Sequence, residues 1–178
     1  MQRVIKPAGQ FNIQLEDVPV PEPGPGEVRI KAVRSLISRG SEIGARYTRT
    51  HAVSPEIMGY SLAGTVDALG AGVDCYDIGD PVVALAPHAE YAVRPAVLSS
   101  TAEQPQVFPI LDGVDFDQAP YWPLVAGAVT WVDIEEIRNN DTVVILGQGL
   151  VGSLMLQVAR HNGQGRLMAV DALDSRCA

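Results

Sequence analysis

Apolar and polar residues along the chain follow two regimes. Up to about residue 122, short β-branched runs (Val28 to Val33, Gly64 to Ala68, Pro81 to Leu85) alternate with Gly/Pro turns at residues 23–26, 70–72 and 79–81. Runs of that length, punctuated that closely, predict a small β-barrel or sandwich. From about Asp115 the pattern becomes helical, with Phe116, Ala119, Val125, Val129 and Val132 available for one apolar face. Pro120 and Pro123 are expected to break this helix near its start, and Asn139, Asn140 and Asp141 to end it. Thr142 to Leu146 then reads as a fully apolar, buried strand, Leu150 to Arg160 as a helix and Arg166 to Val170 as a second strand, which together make a βαβ unit. All 13 prolines lie at or before Pro123. The expected division is therefore a β-rich part over 1–122 and an α/β part over 123–178.

The turn inside that βαβ unit carries the candidate chemistry. Gly147, Gln148, Gly149, Leu150, Val151 and Gly152 form a G-x-G-x-x-G segment between strand and helix. Gly147 is expected to allow the tight turn, Gly149 to let a pyrophosphate approach the backbone, and Gly152 to let the helix pack close to the strand. The helix N-terminus would present free N–H groups and the positive end of its dipole to the phosphates. Asp171 stands 19 residues after Gly152, at the end of the second strand, where a carboxylate can accept hydrogen bonds from ribose hydroxyls. Its charge would repel a 2′-phosphate, so NAD(H) is favoured over NADP(H). Arg176, five residues further on, is placed to lie along an adenine or to meet a 2′-phosphate.

Composition narrows the partners. With 13 basic and 21 acidic residues the 178-residue chain has a net charge of −8 and no basic cluster, which excludes nucleic acid and anionic membrane as natural partners. A small-molecule substrate fits better. The longest uncharged apolar stretch, Val143 to Ala159, is short for a bilayer span and interrupted by glycine and glutamine. The N-terminus lacks an apolar signal core, and two cysteines are too few for a disulfide framework; the expected setting is the cytoplasm.

Four further segments extend the argument over the whole chain: residues 20–28 (VPEPGPGEV), 59–66 (GYSLAGTV), 79–82 (GDPV) and 141–147 (DTVVILG). Together with the glycine turn, they make the chain resemble the medium-chain dehydrogenase/reductase superfamily. Residues 37–42 (ISRGSE), 59–61 (GYS) and 86–91 (APHAEY) look most like its branch containing bacteriochlorophyllide a dehydrogenase. The resemblance implies a GroES-like β-barrel followed by the start of a Rossmann parallel sheet, and hydride transfer between nicotinamide and an alcohol, carbonyl or activated alkene. Where zinc-dependent members place a Cys, a His and a later Cys or acid, this chain has Ser38 or Arg39, Tyr60, and Val125 or a neighbour. Those groups do not make a zinc site, so metal-free chemistry is expected. Ser41 and Glu42 stand where the family places a Thr-Asp pair, and with Tyr47 and Tyr60 they are the candidate catalytic residues. His88 precedes a strand, Glu90 to Val93, that the family places on the barrel surface facing away from the reacting ring, and a structural role is expected for it. Family members are about twice as long, so the chain is expected to be a fragment that is homo-oligomeric in full-length form. The competing expectation is a catalytically inactive fragment or a non-catalytic nucleotide-binding or assembly module.

Overall fold

The computed structural model describes residues 1–96, 106–137, 140–163 and 165–176, which divide into two units, Met1–Tyr121 and Trp122–Ala178. In the first unit β1 (Gln2–Ile5) and β2 (Gln14–Asp17) pair antiparallel, with Gln2 opposite Asp17. A second, five-stranded antiparallel sheet contains β3 (Glu27–Ser35), β4 (Leu62–Leu69), β5 (Pro81–Ala84), β6 (Tyr91–Pro95) and β7 (Val107–Pro109), in the order β6-β3-β4-β5-β7. Its core follows the two-residue period of a strand: Val28 and Ile30 of β3 are fully buried against Leu62, Val66, Val82 and Val107. The three predicted runs are thus strands β3, β4 and β5. The sequence pattern did not reveal β1, β2 or β7, which at three or four residues are too short to show a period.

The second unit contains α1 (Trp122–Ile134), β8 (Thr142–Leu146), α2 (Leu150–His161) and β9 (Arg166–Val170). Strands β8 and β9 run parallel, with Thr142 opposite Arg166 and Leu146 opposite Val170. Both strand spans match the sequence reading. The helix expected from Asp115 begins later: the Asp115 carboxylate instead accepts hydrogen bonds from the N–H groups of Asp117 (2.9 Å) and Gln118 (2.8 Å), which closes a turn. A single tight turn, Ala119–Tyr121, follows, and Pro123 then sits in the first turn of α1, where a missing N–H breaks no helical bond. The buried stripe of α1 is Ala128 and Val132, whereas Val125 and Val129 of the predicted face are exposed. Strand β8 also departs from expectation, because Ile145 is buried but Leu146 is 77% exposed. Among the described residues β8 pairs only with β9, leaving its other edge open. No helix of the described residues is long and apolar enough to cross a membrane.

Candidate functional site

The glycine turn joins β8 to α2. Gly147 has φ +87°, a backbone region that side chains disfavour, and its N–H donates to the Val170 carbonyl at 2.7 Å, tying the turn to the end of β9. A Cβ on Gly152 would lie 1.8 Å from the Gly147 carbonyl oxygen, so α2 approaches the turn as closely as it does only because residue 152 has no side chain. Gly149 differs from both. It has an ordinary extended backbone (φ −72°, ψ −173°), and a Cβ there would meet nothing within 4 Å. It is the N-cap of α2, and no side chain caps that end of the helix. Open space in front of an uncapped helix N-terminus suits a phosphate group.

Asp171 closes the turn from the β9 side. Its Oδ2 accepts a hydrogen bond from the Gln148 N–H at 2.7 Å, its Oδ1 accepts one from the Leu173 N–H at 2.9 Å, and the Arg176 guanidinium lies 3.5 Å from Oδ2. The Leu173 and Gln148 N–H groups, with a smaller contribution from Arg176, hold this carboxyl below the ordinary range despite the opposing effect of desolvation. Gln148 is buried, and its side-chain amide donates to the Ile145 carbonyl at 2.9 Å. Leu150 and Val151 open α2 and are both partly exposed. The structure therefore brings the sequence-predicted residues of this turn together with Asp171 and Arg176.

A second cluster lies in the first unit. Ser38 caps a wide-turned helical segment, Arg39–Tyr47, in which the Ile43 N–H reaches back five residues to the Ser38 carbonyl. The cap is reciprocal: the Ser41 N–H donates to Ser38 Oγ at 3.4 Å, and the Ser38 N–H donates to Glu42 Oε1 at 2.9 Å. Glu42 is fully buried. Its other oxygen lies 2.6 Å from His88 Nε2 and 3.4 Å from the Tyr47 hydroxyl, and His88 Nδ1 lies 2.9 Å from Ser35 Oγ. Desolvation raises the Glu42 carboxyl, but the His88 hydrogen bond, the Ser38 N–H and nearby positive charge outweigh it and leave the group below its ordinary value. Desolvation and the Glu42 charge push the Tyr47 phenol up.

Of the four sequence-predicted catalytic residues, Glu42 and Tyr47 meet directly, while Ser41 is exposed on the cap. Tyr60 is half-buried, and its hydroxyl makes no hydrogen bond among the described residues. His88, expected in a structural role, is buried: it is 6% exposed, the Met58 carbonyl accepts its backbone N–H at 2.7 Å and Glu42 holds its ring. Its partners lie 46 and 53 residues away in sequence, so no local spacing announces the cluster. Ser38, Arg39 and Tyr60 do not supply zinc-ligand chemistry, and the described residues contain no group of three His, Cys, Asp or Glu side chains able to hold a metal ion.

No family profile matches the chain. Among curated proteins, the L-threonine 3-dehydrogenase of Stenotrophomonas maltophilia is 26% identical over 99% of this chain and 59% of its own length. That of Pyrococcus furiosus is 35% identical over 46% of this chain and 24% of its own. Among solved structures, 2R,3R-butanediol dehydrogenase from Bacillus subtilis superposes with a TM-score of 0.80 at 19% identity, covering 99% of this chain and 60% of the other. An alcohol dehydrogenase from Escherichia coli complexed with NADH gives 0.76 at 21% identity over 98% and 58%. A mycobacterial protein complexed with NADPH gives 0.76 at 24% over 99% and 55%. Sequence relatives and fold agree along the chain. The chain has the fold of these dehydrogenases, and the dehydrogenases among its sequence relatives support the resemblance to the medium-chain dehydrogenase/reductase superfamily. Its first unit is the GroES-like part of that fold, and its second is the start of a Rossmann sheet. It spans from about a quarter to about three-fifths of the length of the curated relatives it matches.

Proposed function

We infer that the chain supplies the substrate unit and the adenosine-side half of the cofactor unit of an NAD(H)-dependent oxidoreductase. Its reaction is hydride transfer between nicotinamide and an alcohol, a carbonyl or an activated alkene, without catalytic zinc. The observation that carries this reading is the cradle formed by Gly147, Gly149 and Gly152: a turn in a conformation suited to glycine, an open uncapped helix end, and a helix packed too closely for any Cβ at residue 152. Those features fit a pyrophosphate. The N–H groups at the start of α2 would hold it, Gly149 would leave room for it, and Asp171 would accept hydrogen bonds from the adenosine ribose. The cofactor supplies the hydride chemistry. The protein's own contribution is to bind, orient and handle the proton, and in the first unit Glu42, Tyr47, Ser41 and Tyr60 are the groups available for that work.

The preference for NAD(H) over NADP(H) rests on Asp171. Its hydrogen bonds to backbone N–H groups keep it ionised, and a 2′-phosphate would meet that charge. Arg176 counteracts it in part and sets how large the preference is. Titrating the chain with NADH and NADPH tests the assignment: Asp171→Ala weakens NADH binding about tenfold or more, and Asp171→Ser beside Arg176 narrows the gap to NADPH. Wild-type preference for NADPH, or unchanged NADH affinity in Asp171→Ala, would show the role of Asp171 to be wrong. The partner is a small-molecule substrate, and the proposed setting is the cytoplasm, which the low cysteine count of the sequence supports.

A second reading, a non-catalytic nucleotide-binding or assembly module, is favoured by one observation. Val144 and Leu146 of β8 are 46% and 77% exposed beside an open strand edge, a surface suited to association, including the formation of homo-oligomers. Turnover of any alcohol or carbonyl, followed through nicotinamide absorbance, rejects it.

A further inference from the structure

The first unit holds a buried acid and a buried histidine that the cofactor turn does not need. A brace for the loop at residues 38–47 would require only Glu42 and the Ser38 N–H. Instead both nitrogens of the His88 ring are engaged, one by the buried Glu42 carboxylate at 2.6 Å and the other by Ser35 Oγ at 2.9 Å. Ser35 is exposed at the end of β3, in a shallow groove that also includes Arg3, Arg34, Glu90 and one edge of His88. On the opposite side the Tyr47 hydroxyl lies 3.4 Å from the same Glu42 oxygen that meets His88. The four polar groups form a continuous line from Tyr47 to solvent.

We propose that Tyr47, Glu42, His88 and Ser35 form a proton path between the Tyr47 hydroxyl and the groove at Ser35, with His88 as a relay acting through Glu42. This rests on the dehydrogenase reading above. When an alcohol carbon gives up its hydride, the O–H bond of the alcohol must break as well, and one proton leaves for each hydride transferred. In carbonyl reduction a proton must arrive instead, and the resting line is set for that direction: the Nε2–H donates to the ionised Glu42 carboxylate and Nδ1 accepts from the Ser35 hydroxyl. Ser35 gives its proton to Nδ1 and takes one from water, the Nε2 proton passes to Glu42, Glu42 protonates the Tyr47 oxygen, and the phenol's own proton goes to the alkoxide. Alcohol oxidation runs these transfers in reverse, starting from the Nδ1–H tautomer. The depressed Glu42 carboxyl and the raised Tyr47 phenol return the resting proton to Tyr47, so each is in the form the next cycle needs. The charged groups around the line are Arg46 beside Glu42, and Arg3, Arg34 and Glu90 at the groove. Arg3 is paired with Glu16 and Arg34 with Asp117, and of the four members of the line Ser35 is the one exposed at the groove.

The test uses His88→Asn, whose amide can bond to both Glu42 and Ser35 but cannot carry the proton, alongside His88→Ala. In the active protein, His88→Asn lowers kcat about tenfold or more, leaves the KM for NADH within about twofold, and increases the solvent deuterium isotope effect. Added imidazole restores part of the His88→Ala rate by entering through the groove. A His88→Asn enzyme within about twofold of wild type in kcat, with an unchanged pH profile and no imidazole rescue, overturns the path. If the wild type binds NADH but turns over no alcohol or carbonyl, the functional reading fails, and the path is judged on the chain itself. NMR of ring-nitrogen-labelled histidine then shows the His88 N–H exchanging with water, slowed by Ser35→Ala. Exchange that is insensitive to Ser35→Ala overturns the path by itself.

Discussion

The glycine turn and the Glu42 cluster solve the problem of placing polar groups in opposite ways. The turn is made of backbone: consecutive residues 147–152 set its shape, and the end of β9 closes it, the Val170 carbonyl accepting the Gly147 N–H and the Asp171 carboxylate the Gln148 N–H, each at 2.7 Å. The cluster is made of side chains brought from Ser35, residues 38–47 and His88, three separate stretches of the first unit. In the turn, stability depends on the absence of atoms at 152. In the cluster it depends on the presence of buried partners, each of which is left unsatisfied if its neighbour is removed. A site made of absences tolerates change where space is open, and a site made of buried pairs does not.

The largest effect should therefore come from the cluster. Glu42→Ala strands His88 Nε2 and the Ser38 N–H in a buried setting and should destabilise the first unit by about 3 kcal/mol, read from denaturant unfolding. A loss under about 0.5 kcal/mol would mean that the cluster is solvated and that the contrast drawn here is false. Next in size is Gly152→Ala, which forces a methyl group to within 1.8 Å of the Gly147 carbonyl and should cost the second unit about 2 kcal/mol as α2 moves away.

The smallest effect is in the pH dependence. Because the Glu42 carboxyl is held below its ordinary value of 4.5 in the folded chain, the unfolded chain binds its proton more readily. The stability it contributes is complete above about 4.5 and is lost as pH falls through the lower folded value. Glu42→Gln should flatten the acid limb of the stability curve measured by thermal melting. An unaltered limb would assign acid sensitivity to other carboxyls, of which Asp171 is one, also depressed and with the same sign.

The same contrast explains what could be read from the sequence. The spans of β8 and β9 were legible because their apolar runs are contiguous and end at glycine or acid, and the cofactor turn was legible because its chemistry lies in six adjacent positions. Ser41 and Glu42 stood out only as family positions, and Tyr47 only as a phenol near them in sequence. The pairing of His88 with Glu42 was not legible because the two stand 46 residues apart. The start of α1 was set too early because Asp115 was read as a helical residue, whereas its side chain closes a turn. The exposure of Leu146 could not be read from composition, since an apolar strand looks the same whether one face or both are covered.

Gly149→Val tests the central claim most directly, because this position separates folding from binding. Its backbone is extended and nothing lies within 4 Å of the added Cβ, so the variant should melt as the wild type does, within about 1 kcal/mol. The branched side chain would occupy the place left for the pyrophosphate. Titration with NADH, followed by nicotinamide fluorescence, should show saturable binding to the wild-type chain and none to Gly149→Val over the same range. Equal affinity in the two proteins would contradict the account.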